Sequence, residues 1–330
     1  MLRRTELLVA LVLGLLAVSC GGSSNDGSDN GAEPSRVFLS LGTAPPGGAF
    51  FVVGSALAEV LNEFGEGFGW STTAEATSGS QENIRRLDSG EMDFAMSNAA
   101  ITYFAVRGSE GWDKAYPMRT VMTLAPNVAL FISPGGSGVE TIADLRGNRV
   151  SVGPAGAGFE YFVGPLLAAH DITYEDFTPL NATQSGAVDL LADGSAAAVF
   201  VGGAVPTASI TQASASQDIH FIPFDEEARQ RLIEEYLFFR PATIPAETYR
   251  GQAAAFEGLD VGSMHLITSA GVDEELVYNV TKTLYEQRES VIEKHAAGRA
   301  INPNNVIRDT GTQFHPGAIR FYQEIGLWPQ

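Results

Sequence analysis

The sequence predicts an α/β fold of two lobes, each a mostly parallel sheet flanked by helices, joined by a two-strand hinge. Short apolar runs typical of strands alternate with amphipathic helical stretches, which is the pattern of α/β layers. The length of 330 residues suits two domains of about 150 residues better than a single core. Two extended apolar segments, 120–133 and 260–269, lie where the chain leaves the first lobe and returns to it.

Residues 1–19 predict a secretory signal peptide, because two arginines precede an apolar run that is too short to span a bilayer. Cys20 follows the small residues Ala17 and Ser19, and this segment resembles the lipobox of bacterial lipoproteins. The resemblance implies lipidation of Cys20; an ordinary signal peptide with an unrelated cysteine is the alternative. Segment 20–35 is rich in Gly, Ser, Asn and Asp, which predicts a flexible tether. The folded body is expected outside the cytoplasm, in the periplasm or at the outer cell surface, lipid-anchored to a membrane.

The first lobe is predicted from 36–126 and 268–330, and the second from 127–267. In the first lobe the pattern predicts strands at 37–43, 70–77 and 92–98, and helices at 49–64 and 80–90. In the second lobe it predicts a strand, a glycine loop and a helix within 149–170, helices at 184–194 and 225–239, and strands at 196–203 and 219–224. A helix over 273–295, with Asp273 at its start, is expected to pack on the first lobe.

Composition excludes several classes of function. A net charge of −19 leaves no large basic surface, which argues against a nucleic-acid partner. The single cysteine excludes an intrachain disulfide and a CxxC-type zinc site. The five histidines lack metal-site spacing, and the G-x-S-x-G, S-x-x-K and G-x-x-x-x-G-K motifs are absent. We therefore expect no metal, no cofactor and no enzymatic activity.

The loop GTAPPGG, which comes directly before a helix, is the first candidate site. Glycines allow close approach to the main chain, and a helix start favours negative charge, so a carboxylate suits this loop. A simple turn is the alternative. We expect ligand contacts from this loop and its flanks at Gly42, Thr43, Gly47, Gly48 and Phe50.

The loop TSGS, between the second strand and the next helix, is the second candidate. Short hydroxyl side chains at a helix start also cap the helix, so capping and ligand contact remain alternatives. Loops at the carboxyl ends of parallel strands line the ligand cleft in such folds. The predicted contacts are Thr77, Gly79, Ser80, Asn83, Ser97 and Asn98. Arg85 and Arg86 are expected to lie in solvent.

The third candidate, 153–160, has the spacing G-x-x-G-x-G, which does not match a dinucleotide-binding loop. It fits an anion-binding helix start in the second lobe, opposite the first loop. The end of the strand at FVGG (200–203) is expected to form another part of the edge of the ligand cleft; a tight turn is the alternative. The predicted contacts are Gly153, Gly156, Ala157, Gly158, Phe159, Gly202 and Gly203.

Six motifs, beginning with LGTAPPGGAF, occur in order at 41–50, 75–98, 144–158, 200–206, 244–252 and 314–326. The set resembles the TAXI family of solute-binding proteins, the receptors of one branch of TRAP transporters, and the resemblance covers 37–328. It implies a two-lobed periplasmic-binding-protein fold (type II-like). The chain departs from the family pattern at Phe50, where tyrosine is usual, and at Ala157 and Phe159, where serine and threonine are common.

The resemblance implies that the two lobes close over a small organic anion, glutamate-like or dicarboxylate-like, and deliver it to a sodium-coupled TRAP permease in the membrane. The expected function is therefore that of an extracytoplasmic solute-binding lipoprotein working by hinge closure. A ligand-binding sensory subunit of a signalling receptor and an extracytoplasmic enzyme are the alternatives.

Overall fold

The computed structural model describes residues 36–328, and both the predicted signal peptide and the predicted tether lie outside these residues. The strands are β1 (Val37–Gly42), β2 (Trp70–Glu75), β3 (Phe94–Asn98), β4 (Met118–Thr123), β5 (Val128–Pro134), β6 (Arg149–Ser151), β7 (Thr178–Leu180), β8 (Ala198–Gly203), β9 (Ile219–Phe221), β10 (Phe239–Ile244), β11 (Phe256–Val261) and β12 (Met264–Ser269). The helices are α1 (Ala49–Phe64), α2 (Ser80–Asp88), α3 (Ala99–Ala105), α4 (Glu160–Ala169), α5 (Gln184–Ala192), α6 (Ala208–Ser216), α7 (Glu226–Glu235), α8 (Glu274–Glu286), α9 (Arg288–Lys294) and α10 (Pro316–Glu324).

The strands form two separate sheets. The first has the order β2-β1-β3-β12-β4, and the second has the order β10-β11-β5-β8-β6-β7 with β9 paired to β5. This arrangement confirms the predicted α/β fold of two lobes. The lobe limits 36–126 with 268–330 and 127–267 stay a prediction; the chain changes sheet at residues 124–127 and again at 262–263.

Both sheets are mixed, which corrects the expectation of mostly parallel strands. In the first sheet β1 runs parallel to β2 and β3, whereas β12 runs antiparallel to β3 and β4. In the second sheet only the pairs of β6 with β7 and β8 are parallel. β5 and β12 receive the chain when it passes from one sheet to the other. They enter their sheets at the end opposite to that at which the strands of the strand–helix units begin, so they run antiparallel to their neighbours.

Helix α1 shows how the sequence builds the first lobe. It begins after Gly48, and its residues Val53, Leu57 and Leu61 are buried at helical spacing against the sheet. The helix ends at Gly65. The predicted helix over 273–295 is divided at Gln287 into α8 and α9, and α8 packs against α1 and α10 as expected for the first lobe.

The two lobes also touch outside their sheets. Tyr161 of α4 stacks on Trp112 of the first lobe at 5.7 Å and lies 5.7 Å from the ring of Phe104 on α3. The Gln81 amide of α2 donates a 2.8 Å hydrogen bond to the carboxylate of Glu160. One hydrophobic cluster therefore runs from α3 into the second lobe.

Two short connectors join the lobes side by side. Leu124 N donates to Met264 O at 2.8 Å, Met264 N donates to Ala125 O at 2.8 Å, and Val261 N donates to Asn127 O at 3.0 Å. These backbone hydrogen bonds make the predicted two-strand hinge a continuous ladder.

A neutral histidine lies next to the hinge. The His265 side chain is fully buried, and its Nε2 is 2.9 Å from the Thr102 hydroxyl. Burial lowers the pKa of this imidazole to about 3. The unfolded chain binds a proton at this residue below about pH 6.5, whereas the folded chain does not.

We expect this difference to make the folded state less stable as the pH falls. Between about pH 7 and 5, the free energy of unfolding should decrease by about 2 kcal/mol more in the natural protein than in His265→Gln. Urea titrations at several pH values measure both slopes, and the other four histidines are common to the two proteins. Parallel pH profiles would contradict the assignment of a neutral His265.

Candidate functional site

A cavity of about 110 Å³ lies between the two lobes. Loops that precede helices of both lobes and the connector between β4 and β5 form most of its wall. The lining residues are Thr43, Ala44, Pro45, Pro46, Gly47, Gly48, Ala49, Phe50, Ser78, Gly79, Ser80, Asn98, Ile101, Asn127, Ala129, Pro154, Ala157, Phe159, Phe162, Thr183, Gln184, Ser185 and Gly202. This volume is below that of pockets for drug-sized molecules and suits a small solute.

The start of α1 lies in the wall of the cavity. Gly47 has φ +86°, which favours glycine, and Gly48 is the N-cap with no side-chain capping bond. The first N–H groups of a helix have no intrahelical partner, so those of Ala49 and Phe50 are available at the wall. The predicted anion-binding geometry of this loop is therefore present in the backbone.

Two predicted residues of the first lobe support the wall instead of lining it. The Asn83 amide donates to Thr43 O at 2.7 Å and to Met96 O at 2.8 Å, and the Thr77 hydroxyl donates to Thr43 O at 3.1 Å. The Thr43 hydroxyl itself donates to Glu75 O at 2.6 Å. These bonds hold the main chain of Thr43 in place.

Asn98 connects the cavity to the hinge. Its backbone N–H donates to the Ser80 hydroxyl at 3.0 Å, and its Oδ1 accepts from Ala100 N at 2.8 Å. Its Nδ2 donates to the Gly262 carbonyl at 2.8 Å in the connector between β11 and β12. The neighbouring Ser97 faces away, with its hydroxyl 2.8 Å from that of Thr102.

The glycine loop before α4 contributes less than the sequence suggests. Ala157 and Phe159 line the cavity, but Gly156 is exposed, has nothing within 4 Å of where a Cβ would lie, and does not line the cavity. A Cβ at Gly153 would lie 2.2 Å from the Phe159 ring, and one at Gly158 would lie 2.7 Å from Ile101. These two glycines make room for neighbouring side chains and do not contact the cavity.

The start of α5 is a part of the wall that the sequence analysis missed. Thr183 caps this helix by accepting from Gly186 N at 3.2 Å. The Gln184 side chain donates to Gly202 O at 2.7 Å and accepts from Gly202 N at 3.0 Å, which fixes α5 to β8. The helix itself was predicted at 184–194, but its position at the cavity was not; the capping threonine directly before it was the signal for a helix start with free N–H groups.

Asn127, in the connector after β4, was also missed. Its relative exposure is only 7%, it lines the cavity, and within residues 36–328 its side-chain amide has no hydrogen-bond partner. Its backbone N–H donates to Asp260 Oδ1 at 3.0 Å. Burial raises the pKa of the Asp260 carboxyl, although the Ser263 hydroxyl and the Arg308 guanidinium oppose that shift.

The lining residues of the described chain include no Asp, Glu, Lys, Arg or His. Arg85 is exposed and lies over the Trp112 ring at 5.0 Å, and Arg86 pairs with Glu75 at 2.6 Å. Charge recognition at the cavity therefore depends on backbone groups and on neutral polar side chains. Across residues 36–328, no group of three or more His, Cys, Asp or Glu is placed to hold a metal ion.

The predicted contact residues fall into two groups, and their role in binding stays a prediction. The first group lines the cavity: Thr43, Gly47, Gly48, Phe50, Gly79, Ser80, Asn98, Ala157, Phe159 and Gly202. The second group does not: Gly42, Thr77, Asn83, Ser97, Gly153, Gly156, Gly158 and Gly203. A Cβ at Gly42 would lie 2.2 Å from the Met92 sulfur, so close packing explains this glycine as well.

Two α/β lobes with a cavity between them are the architecture of periplasmic binding proteins. The chain belongs to the NMT1-like family, whose model matches residues 41–326.

Among solved structures, a protein of Bordetella bronchiseptica RB50 is similar at 13% identity, 87% coverage of this chain, 89% of that chain and a TM-score of 0.50. XAC2383 from Xanthomonas citri, bound to chloride ion, is similar at 10% identity, 87% and 95% coverage and a TM-score of 0.50. The alkanesulfonate-binding protein SsuA from Xanthomonas axonopodis pv. citri, bound to MOPS, reaches 15% identity, 91% and 96% coverage and a TM-score of 0.47. The first two support the fold. None of the helices within residues 36–328 has the length and apolar character needed to cross a membrane.

The contact between Asn98 and the hinge depends on Gly262. This glycine has φ +111°, and a Cβ would lie 2.3 Å from Asn98 Oδ1 and 2.8 Å from Ala100 N. We expect Gly262→Ala to lower the free energy of unfolding by about 1–3 kcal/mol, because it adds both a backbone strain and a clash.

Gly271→Ala is the matched control, since Gly271 is exposed and has nothing within 4 Å of where a Cβ would lie. Urea unfolding of the two variants measures the difference. Equal stability of both variants would contradict the tight packing at Gly262.

Proposed function

We propose that this protein is an extracytoplasmic solute-binding protein that captures a small organic anion in the cavity between its lobes. The observation that carries the proposal is Asn127: a nearly buried amide without a partner among residues 36–328, in the wall of a cavity where the α1 start presents free N–H groups. A bound solute can pair with this amide, because within residues 36–328 the protein itself makes no hydrogen bond to it.

The helix starts favour an anion over a cation. A helix N-terminus carries about half of a positive elementary charge, and α1 of the first lobe and α5 of the second both begin at the cavity. A ligand that contacts both stabilises the closed arrangement of the lobes, because each lobe supplies part of its binding surface. This is the physical basis of the proposed hinge closure.

We further propose that the closed form delivers its solute to a TAXI-type TRAP permease. The sequence motifs from 41–50 to 314–326 support this part of the proposal. A sensory subunit that binds the same solute for a signalling receptor is the second candidate. The two are distinguished by whether deletion of the gene for this protein abolishes uptake of the bound solute, as expected for a transport receptor, or leaves uptake unchanged, as expected for a sensory subunit.

The sign of the ligand charge can be tested at Asn127. Asn127→Asp keeps the side-chain shape but adds a negative charge, so we expect at least a tenfold loss of affinity for an anion, about 1.4 kcal/mol. Asn127→Ala removes the amide without adding charge and should cost less. Calorimetry with each organic acid that raises the melting temperature of the natural protein measures both losses.

Both variants should remain folded, because the backbone bonds of Asn127 to Asp260 and Val261 do not involve its side chain. An organic acid that binds Asn127→Asp as tightly as it binds the natural protein would overturn the proposal that the cavity recognises an anion at Asn127.

The proposed membrane anchor can be tested at Cys20, which lies outside the described residues. We expect Cys20→Ser to be released from the membrane or to accumulate as a precursor, because a multiply acylated cysteine binds lipid firmly whereas the polypeptide alone does not. Fractionation of cells into membrane and soluble parts gives the readout. Equal membrane association of the natural protein and of Cys20→Ser molecules from which residues 1–19 have been cleaved would exclude the anchor.

A further inference from the structure

The starts of five helices around the cavity differ in whether they are already neutralised. The first turn of α2 contains Glu82, whose carboxylate accepts from Ser78 N at 2.8 Å, and this bond lowers the Glu82 pKa. The first turn of α4 contains Glu160. The first turns of α1, α5 and the seven-residue α3, whose N-cap Asn98 lines the cavity, contain no acidic residue.

Of these five helices, α1 and α5 are the two of at least nine residues that present an uncompensated positive end to the cavity. Each helix start is equivalent to about half of an elementary charge, so the two together balance about one negative charge. The lining of the described chain adds no ionised side chain of either sign. The helix starts of the cavity can therefore balance the charge of about one anionic group.

The rest of the wall is largely apolar. Phe50, Ile101, Phe159 and Phe162 contribute side chains from both lobes, and Ala129 lies among them. The centroid of the Phe159 ring lies 5.0 Å from that of Phe162. The ring also packs against the main chain of Gly153, where a Cβ would clash with it. Phe159 therefore occupies a fixed position and offers an apolar surface to the solute.

We propose that the solute is a singly charged organic anion with an apolar body, in place of the glutamate-like or dicarboxylate-like acid that the family resemblance implies. This inference rests on the proposed function, since it concerns the same cavity. The anionic group lies between the starts of α1 and α5, and the apolar body lies against Phe50 and Phe159.

A second charged group on the solute has no oppositely charged side chain to pair with among the described residues that line this cavity. A second carboxylate placed against Phe159 loses its hydration without gaining a cation. An α-ammonium group faces the same loss, because the lining within residues 36–328 contains no carboxylate. Acids that carry either group are therefore expected to bind more weakly than an acid of the same length that lacks them.

Three acids of five carbons separate these classes: pentanoate has one charge, glutarate has two, and glutamate adds an ammonium group. We expect calorimetry on the full mature chain to give a dissociation constant for pentanoate at least about tenfold lower than for the other two. Tighter binding of glutarate or glutamate than of pentanoate would overturn the inference and leave the proposed function intact.

A charge variant tests whether the wall itself sets this preference. Ser185 is exposed at the rim of the cavity, and Ser185→Lys supplies the missing cation. We expect this variant to bind glutarate about fivefold more tightly than the natural protein. Ser216→Lys is the matched control, because it makes the same charge change at an exposed position outside the cavity.

An equal increase in glutarate affinity in both variants, or no increase in Ser185→Lys, counts against the inference. The preference for a singly charged acid would then not arise from the wall of the cavity. The proposed function fails differently: none of the three acids, nor any acid of a wider panel, would then bind the natural protein or raise its melting temperature. These two outcomes do not overlap.

Discussion

The side-by-side pairing of the two connectors is the constraint on which the remaining structure depends. The backbone bonds between Leu124, Ala125 and Met264 and between Asn127 and Val261 fix where the chain leaves each sheet. They oblige β5 and β12 to enter their sheets against the direction of the strand–helix units, so both sheets are mixed. They also hold Asn127 at the wall of the cavity with its backbone N–H bound to Asp260.

Side-chain hydrogen bonds hold the wall of the site in place. Asn83 and Thr77, which do not line the cavity, bond to the main chain of Thr43, and Gln184, which does line it, bonds to the main chain of Gly202. The wall consists of main chain, short hydroxyl groups and aromatic rings. Hydrogen bonds and packing from the residues around the wall fix the positions of these groups. A site of this kind is preorganised, because little side-chain freedom is lost when a solute enters.

The sequence was sufficient for helices α1, α2, α4, α5 and α7 and for the glycine loop before α1, because these depend on local periodicity and turn chemistry, but it did not predict α3 or α6. It was insufficient where distant segments meet. Gly153 and Gly158 have the same local pattern as Gly48, yet they are explained by the rings and methyl groups of Phe159 and Ile101. Asn127 lies in an apolar crossing segment, and only the pairing of that segment with β11 brings its amide to the cavity.

The stacking of Tyr161 on Trp112 gives the protein an intrinsic optical signal of its own conformation. Of the three tryptophans, Trp70 stacks on Phe68 and Trp328 packs on Phe314, and these contacts lie within the first lobe. Within residues 36–328, Trp112 alone among the three touches an aromatic ring of the second lobe. Its indole environment therefore depends on the separation of the lobes, whereas those of the other two do not.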